Sequence, residues 1–260
     1  MTPENETVNH KAPAVELKGV YKTFLSEAGV AVEALSNINA AVKPGEFVCL
    51  IGATGCGKTT LLNIVAGLET ADAGQVTLTE GLSYGRGLAY VFQHYTLFPW
   101  RSVLRNVTFG LQMRHTNRRK RNKIARQLLN QVGLSRFESS YPHELSGGMR
   151  QRTALAQALA MEPKLLLMDE PFGALDDSTR HDLQQMLVNL WRQKHLTVLF
   201  VTHNIDEALV MGDRVLVFTE RPGRIIRDIN IDLPRPRDRL SKKFTDIYLE
   251  IRKTISADLE

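Results

Sequence analysis

The chain has 260 residues, of which 43% are hydrophobic and 23% are charged, and its formal net charge is +5. This composition excludes a disordered or fibrous chain and indicates one large or two small globular domains. Its apolar runs are far shorter than the ~20 residues of a membrane-spanning helix, and the polar N-terminus lacks a signal-peptide core. We therefore expect a cytosolic chain, unless a partner holds it at a membrane.

Positive charge is concentrated in two stretches, residues 114–126 and 221–239. Because the two do not form one continuous run, we interpret them as solvated faces and loops, with a surface for nucleic acid or anionic lipid as the alternative. The two cysteines, Cys49 and Cys56, are too close in sequence to suggest a disulfide. Their small number fits a reducing compartment.

The first predicted elements are two strands of an antiparallel β-element. Residues 1–13 are expected to be a flexible tail. Alternating polar and apolar residues over 15–24 predict a half-exposed strand, and residues 30–38 predict a second one. Phe24 ends the first strand, where its ring could stack on an adenine base or pack in the core.

A glycine-rich loop lies between an apolar strand at residues 46–51 and a helix at residues 60–66. The loop matches the GxxxxGK[ST] pattern of a P-loop and reads Gly52-Ala53-Thr54-Gly55-Cys56-Gly57-Lys58-Thr59. Its backbone N–H groups and the helix N-terminus favour phosphate, Lys58 adds a charge for the β- and γ-phosphates, and the Thr59 hydroxyl can bind Mg²⁺. The sequence therefore predicts binding of a nucleoside triphosphate, which alkylation of Cys56 should block.

The next segment changes from strands to helices. Residues 74–79 and 87–92 are predicted strands, the second of which ends at Gln93. Residues 94–144 are predicted to be a helical subdomain, with an amphipathic segment over 102–113.

The second half of the chain returns to alternating strands and helices. An apolar strand ends in Asp169 and Glu170, and a later strand at residues 197–201 precedes Thr202 and His203. The further predicted elements are a helix over 178–194, a short helix up to Met211, a hairpin turning near 221–223 and a C-terminal amphipathic helix within 241–260. The alternation predicts an α/β fold with a mainly parallel sheet, and its core comprises residues 14–93 and 145–240.

Four further motifs follow the P-loop in a specific order. They are Gln93, the segment Leu145-Ser146-Gly147-Gly148-Met149-Arg150-Gln151, the pair Asp169-Glu170, and His203. Over about residues 15–236 the chain resembles the ATPase subunits of ABC transporters, which carry Walker A, Q-loop, signature, Walker B, D-loop and H-loop motifs in this order. Thr54 stands where Ser is usual and Met149 where Gln is common. Neither change removes a phosphate-contacting backbone group.

The resemblance implies a nucleotide site with ATP and Mg²⁺. The implied phosphate-binding residues are Gly52, Ala53, Thr54, Gly55, Cys56, Gly57, Lys58, Thr59 and Thr60. Phe24 would stack on adenine. Thr59 and Asp169 would organise Mg²⁺, with Gln93 beside them at the point that senses the transmembrane partner.

The same resemblance assigns the hydrolytic residues. Glu170 would polarise the attacking water as general base, and His203 would contact the γ-phosphate and hold Glu170 in place. From the residues alone, the Asp-Glu pair could also be a surface pair at a helix N-terminus, and His203 could be an ordinary loop residue.

Ser146, Gly147 and Gly148 have no function within the chain that the sequence reveals, although Ser146 is well placed as a helix N-cap. The resemblance implies that they contact the γ-phosphate held by a second ATPase subunit, identical or paralogous. Asp176 matches the D-loop that crosses this interface.

Finer resemblance favours an importer. Residues 94–107 look like a segment of nitrate, sulfonate and taurine importer ATPases, and residues 233–237 are similar to their C-terminal LPRPR stretch. Bicarbonate relatives share these features. The alternatives are an exporter or lipoprotein-release ATPase, or a soluble ABC ATPase that works on DNA or ribosomes, which a single cassette without accessory modules disfavours.

The importer resemblance also implies partners. Coupling helices of separate membrane permease subunits would bind residues 94–113, with Tyr95, Phe98 and Trp100 as exposed anchors or as packing residues. A solute-binding protein would act indirectly, nucleic acid would not be a partner, and the ATPase would lie peripherally at the cytoplasmic face of the inner membrane.

Overall fold

The computed structural model describes residues 12–79, 81–82, 86–94, 96–173 and 175–257. Most of the expected flexible tail, residues 1–11, and the last three residues of the chain lie outside the described residues. Within the described ranges, no helix combines the length and the apolar character that crossing a lipid bilayer requires.

A three-stranded antiparallel sheet contains the first two strands. Strand β1 (Val15–Leu25) lies between β2 (Ala31–Val42) and β4 (Ala73–Leu78). Strand β2 runs four residues past the predicted end at Ile38, because its backbone continues to pair with β1 up to the partners Val15 and Val42. This long-range pairing overrides the weak strand propensity of the intervening Asn and Ala residues.

A six-stranded sheet forms the centre of the molecule, and its strands run in the order β5-β6-β7-β3-β8-β9. All pairs are parallel except the β8–β9 hairpin. The strands are β3 (Phe47–Ile51), β5 (Leu88–Val91), β6 (Leu165–Asp169), β7 (Thr197–Thr202), β8 (Arg214–Phe218) and β9 (Ile225–Asn230). The predicted α/β class and the mainly parallel sheet are confirmed.

Strand β3 is buried along its whole length, which explains its continuous apolar sequence. Phe47, Cys49 and Ile51 belong to one hydrophobic cluster, whereas Val48 and Leu50 belong to another. Because successive strand side chains point to opposite faces, the sheet separates these two cores. Burial raises the pKa of the Cys49 thiol, as expected for a small core residue.

Helices lie between β5 and β6. They are α2 (Val103–Val107), α3 (Phe109–Met113), α4 (Arg118–Gln131) and α5 (Gly147–Leu159). The amphipathic segment predicted over 102–113 is two helices that meet at Thr108, whose hydroxyl donates to the Leu104 carbonyl at 2.9 Å. Such back-bonding often bends or interrupts a helix. The limits of the helical subdomain, residues 94 and 144, stay a prediction.

The remaining helices complete the two faces of the sheet. They are α1 (Lys58–Ala66), α6 (Asp177–Lys194), α7 (Ile205–Met211) and α8 (Lys242–Ala257). Helix α8 buries Phe244 and Ile251 against the same core as α7. The predicted apolar face of the final helix is therefore a packing face.

Candidate functional site: a phosphate-loop cleft

The loops that follow β3, β5 and β6 meet at one edge of the six-stranded sheet, because parallel strands end on the same side. They line an open cleft of about 380 Å³. The candidate residues that line it are Phe24, Thr54, Gly55, Gly57, Lys58, Thr59, Thr60, Gln93 and Glu170. Ligands of α/β proteins bind at such an edge.

The glycine-rich loop needs glycine for two reasons. Gly55 and Gly57 have φ angles of 81° and 101°, in the left-handed region that side chains disfavour. A Cβ on Gly57 would also lie 2.6 Å from the carbonyl oxygen of Ala34. Helix α1 begins directly afterwards, so its first N–H groups, which lack partners within the helix, add donors beside the loop.

The ammonium group of Lys58 lies within the loop. Its Nζ donates to the carbonyl oxygens of Gly52 and Ala53, at 2.8 and 2.7 Å, and lies 3.3 Å from Cys56 Sγ. Cys56 is only 1% exposed. This burial argues against rapid alkylation of Cys56 in the folded chain, so we now expect N-ethylmaleimide to react slowly.

Thr59 and Asp169 form a pair of hard oxygen ligands beside the loop. Thr59 Oγ1 donates to Asp169 Oδ1 at 3.0 Å, and Asp169 is buried at the end of β6. Burial raises the pKa of Asp169, and the hydrogen bond from Thr59 opposes this rise. A cation placed here would stabilise the charged carboxylate.

These two residues fit Mg²⁺, which binds through one or two carboxylates together with substrate phosphates. In the described part of the chain, no group of three or more His, Cys, Asp or Glu side chains could hold a metal ion. Thr59 and Asp169 therefore fit an ion that takes its remaining ligands from phosphate oxygens.

Glu170 and His203 lie in contact although 33 residues separate them. Glu170 Oε2 is 3.0 Å from His203 Nδ1. An ionised carboxylate only accepts, so with Glu170 in that form Nδ1 donates the hydrogen of this bond. Glu170 has a φ of 41°, which is unusual for a residue with a side chain. Backbone strain of this kind clusters at functional sites.

Phe24 and Gln93 both line the cleft. The Phe24 ring is 40% exposed, and Lys22 Nζ lies 5.1 Å from its centroid. The structure therefore excludes the core-packing alternative for Phe24 and leaves its face available for stacking. Gln93 is exposed and lies two residues after the end of β5.

The signature residues do not line this cleft. Ser146 caps α5, because its Oγ accepts from the Met149 N–H at 3.3 Å. A Cβ on Gly148 would lie 2.4 Å from Thr179 Cγ2, so close packing against α6 requires glycine there. The structure thus explains local sequence choices at the signature without bringing it to the P-loop of the same chain.

Asp176 has a structural role that the sequence analysis did not assign. It is the N-cap of α6, where its Oδ1 accepts from the Thr179 N–H at 3.0 Å and the Ser178 hydroxyl at 2.8 Å. These hydrogen bonds lower the pKa of Asp176 to about 2, and the bond from the Thr179 N–H has the largest effect. Asp176 does not line the cleft.

Arg221 was missed in the sequence analysis. It lines the cleft, and its Nε and Nη2 donate to the Gly55 carbonyl at 3.2 and 2.9 Å. The sequence did contain a signal for Arg221, which is the Pro-Gly turn that follows it between two predicted strands. The first of these strands, β8, lies next to β3 and ends at the same edge of the sheet as the P-loop.

The basic stretch at residues 221–239 is not simply solvated, which corrects the interpretation from the sequence. Arg235 forms an ion pair with Asp213 at 2.6 Å, and Arg239 forms one with Asp206 at 2.8 Å. The carbonyl groups that accept from this stretch include those of Leu209, Met211, Gly212 and Ile231. These arginines satisfy groups around the end of α7.

Together, the fold and the cleft define a P-loop nucleotide-binding protein with a carboxylate and an imidazole beside the phosphate loop. Residues 35–173, more than half of the chain, match the family model described as ABC transporter. The chain belongs to the ABC transporter family.

Relatives are similar in sequence to this chain over most of its length. An uncharacterized ABC transporter ATP-binding protein of Methanocaldococcus jannaschii is 48% identical, over 98% of this chain and 95% of that protein. A nitrate import ATP-binding protein of Synechocystis is 44% identical, over 85% and 83%. A taurine import ATP-binding protein of Rhizobium johnstonii is 43% identical, over 91% and 92%.

Solved structures match as well. A dimeric bacterial ABC transporter cassette aligns with a TM-score of 0.73 and 34% identity, over 84% of this chain and 98% of that one. The same cassette in a dimeric post-hydrolysis state with ADP and phosphate aligns with a TM-score of 0.72. The present chain is accordingly an ABC-type ATPase that binds and hydrolyses ATP.

Proposed function

We propose that this chain is the ATPase subunit of an ABC importer, in which ATP binding and hydrolysis drive uptake of a small anionic solute. The observation that carries the hydrolytic part is the 3.0 Å contact between Glu170 and His203 beside the P-loop cleft. The import part is supported by relatives named for nitrate and taurine import, both more than 40% identical.

Binding of ATP rests on the P-loop and on Phe24. The loop amides, the N-terminus of α1 and Lys58 hold the phosphates, and the exposed Phe24 ring stacks on the adenine. Thr59 and Asp169 would hold Mg²⁺, with Gln93 nearby. When bound, the ion would neutralise negative charge on the phosphates.

Hydrolysis rests on Glu170 as general base. Water attacks the γ-phosphorus, its proton passes to the Glu170 carboxylate, and the bond between the γ-phosphorus and the bridging oxygen breaks to release ADP and phosphate. The bond from His203 Nδ1 fixes one oxygen of Glu170 and so orients the other toward the water. Two further assignments rest on family resemblance. Gln93 would lie beside Mg²⁺ and sense the transmembrane partner, and His203 would contact the γ-phosphate.

A second ATPase subunit completes each site in this proposal. Ser146 is the N-cap of α5, and Gly147 and Gly148 are its first two residues. Their N–H groups and the positive end of the helix dipole would bind the γ-phosphate held by the partner. Asp176 lies at the corresponding interface. The dimeric cassette among the similar structures supports this arrangement. Both an identical chain and a paralogue fit it.

The membrane permease binds at residues 94–113 in this proposal. Trp100 is 70% exposed, which suits an anchor for a coupling helix. Phe98 packs against Phe109 with ring centroids 4.5 Å apart, so it serves mainly in packing. Tyr95, the third expected anchor, lies outside the described residues.

The names of the relatives support the proposed solute class. The solutes in these names, which are nitrate, taurine and aliphatic sulfonates, all carry a negatively charged group rich in oxygen. A permease and, indirectly, a solute-binding protein would select the solute, with bicarbonate a further candidate. The ATPase would lie peripherally at the cytoplasmic face of the inner membrane. An exporter or a soluble ABC ATPase has less support.

Reconstitution with the membrane subunit tests the proposal. Vesicles that contain both subunits, supplied with the solute-binding protein on the opposite side, should take up at least one of nitrate, taurine, an alkanesulfonate or bicarbonate when ATP is supplied on the ATPase side. Glu170→Gln should abolish this uptake. Normal ATPase activity without uptake of any of these solutes would contradict the solute class, and absent ATPase activity would contradict the function.

A further inference from the structure

A partly buried ion pair lies behind Glu170 and His203, and neither of its members belongs to a motif described above. Arg180 lies in the first turns of α6, and Glu207 lies in α7. Arg180 Nε is 3.6 Å from Glu207 Oε1, and the Glu207 side chain is only 7% exposed. A buried carboxylate of this kind requires partners.

Arg180 holds the loop that follows Glu170. Its Nη2 donates to the carbonyl oxygen of Leu175 at 2.6 Å, and its Nε approaches that of Phe172 at 3.5 Å. The planar guanidinium group therefore spans two points of this loop while it also faces Glu207. A fork of fixed donors is the property that distinguishes arginine from lysine.

Glu207 holds the loop that bears His203. Its Oε2 accepts from the Thr202 hydroxyl at 2.6 Å, and the same hydroxyl accepts from the Asn204 N–H at 3.0 Å. The residues on both sides of His203 are thus tied to one carboxylate. Gln184 Nε2 adds a longer bond to Glu207 Oε1 at 3.5 Å.

The two loops face a shared cavity of about 60 Å³, whose lining includes Glu170, His203, Arg180 and Glu207. The chain of contacts runs from the Leu175 carbonyl through Arg180 and Glu207 to the backbone around His203. One ion pair therefore connects the two loops.

We propose that Arg180 and Glu207 are positioning residues for ATP hydrolysis, which hold the loop after Glu170 and the loop of His203 in a single arrangement. This inference rests on the proposed role of Glu170 as general base. Neither residue lines the nucleotide cleft, so their loss should lower turnover without weakening ATP binding. A small misplacement of catalytic groups can cost about 10²-fold in rate.

The test measures kcat and KM for ATP, together with equilibrium ATP affinity and thermal unfolding, on the full-length chain. Arg180→Gln should lower kcat by about 10²-fold, with KM and ATP affinity unchanged within about twofold. Arg180→Lys should not restore kcat, because an ammonium group cannot replace the forked contacts. Arg126→Gln, which removes the exposed 2.8 Å ion pair with Glu138, is the matched control and should leave kcat unchanged.

A double variant separates positioning from stability. Arg180→Gln with Glu207→Gln removes the unpaired buried charge, so the unfolding temperature should recover toward that of the wild type while kcat stays low. Recovery of kcat together with the unfolding temperature would overturn the inference, as would a normal kcat in Arg180→Gln or full rescue by Arg180→Lys. If Glu170→Gln itself turned over normally, the proposed function would fail instead.

Discussion

The P-loop region and the signature region of this chain differ in what surrounds them. At the P-loop, the structure brings the Glu170–His203 contact, the Thr59–Asp169 hydrogen bond and the glycine-rich loop together around one cleft. At the signature, Ser146 is exposed and Gly148 packs tightly on α6, but neither lines that cleft. In the proposed function, the P-loop region holds most of a catalytic site, and the signature region is a helix N-terminus that binds phosphate only in a partner subunit's site.

In the proposed function, one chain thus holds two unlike half-sites. A substitution at the P-loop should therefore weaken ATP binding by the isolated subunit, whereas a substitution at the signature should leave that binding unchanged and lower ATP hydrolysis by the dimer. The following predictions test this division, from the largest expected effect to the smallest.

Loss of the base should give the largest effect. Glu170→Gln removes the proton acceptor but keeps the side-chain shape, so kcat should fall by about 10²–10⁴-fold while ATP still binds. ATP-dependent dimers should accumulate, as light scattering would show. Glu138→Gln, at an exposed ion pair, is the control. Normal turnover in Glu170→Gln would exclude its role as base.

Loss of the P-loop charge should weaken binding in the separate subunit. Lys58→Ala removes a charged hydrogen-bond donor to phosphate, which contributes about 2 kcal/mol, or roughly thirtyfold in affinity. Isothermal titration of the monomer with ATP measures the change. The exposed Lys123→Ala variant should bind as the wild type does. Equal affinities for all three proteins would contradict the phosphate role of Lys58.

A signature substitution should leave monomer affinity unchanged. Gly148→Ala places a Cβ 2.4 Å from Thr179 Cγ2, which should cost about 1–3 kcal/mol of stability. Adding Thr179→Ser removes that methyl group and should restore most of the loss, as denaturant unfolding would show. A drop in monomer ATP affinity like that of Lys58→Ala would break the proposed division between the two regions.

The N-cap at Asp176 should give the smallest effect, and one that depends on pH. Its pKa of about 2 in the folded chain lies below the ordinary value, so the folded state favours the charged form. The stability that it contributes is present above the ordinary pKa and is lost as the pH falls toward 2. The stability difference between wild type and Asp176→Ala should therefore shrink between pH 6 and pH 3. A constant difference would contradict this assignment.

Local patterns predicted much of the fold. Residues 47–51 and 165–168 are continuous apolar runs, which is typical of strands buried on both faces, and β3 and β6 form there. The P-loop was predictable because its chemistry lies in eight consecutive residues. The break at Thr108 was not, since it depends on one hydroxyl that competes for a helical carbonyl.

The missed parts of the site depend on contacts between distant residues. Arg221 reaches Gly55 across 166 positions, and Arg180 reaches Glu207 across α6 and β7. In the sequence each of these is an ordinary charged residue beside a turn or within a helix. The order of strands in the sheet brings these residues to the cleft or behind it. The hydrophobic periodicity of a single segment does not reveal that order.

A mixing experiment tests most directly the claim that each site is made by two chains. Lys58→Ala and Ser146→Arg subunits should each be inactive alone. In a mixed dimer, the intact P-loop of one chain faces the intact signature of the other, so mixing the two inactive proteins should restore ATP hydrolysis. If the mixture stays as inactive as its components although mixed dimers form, the divided site is contradicted.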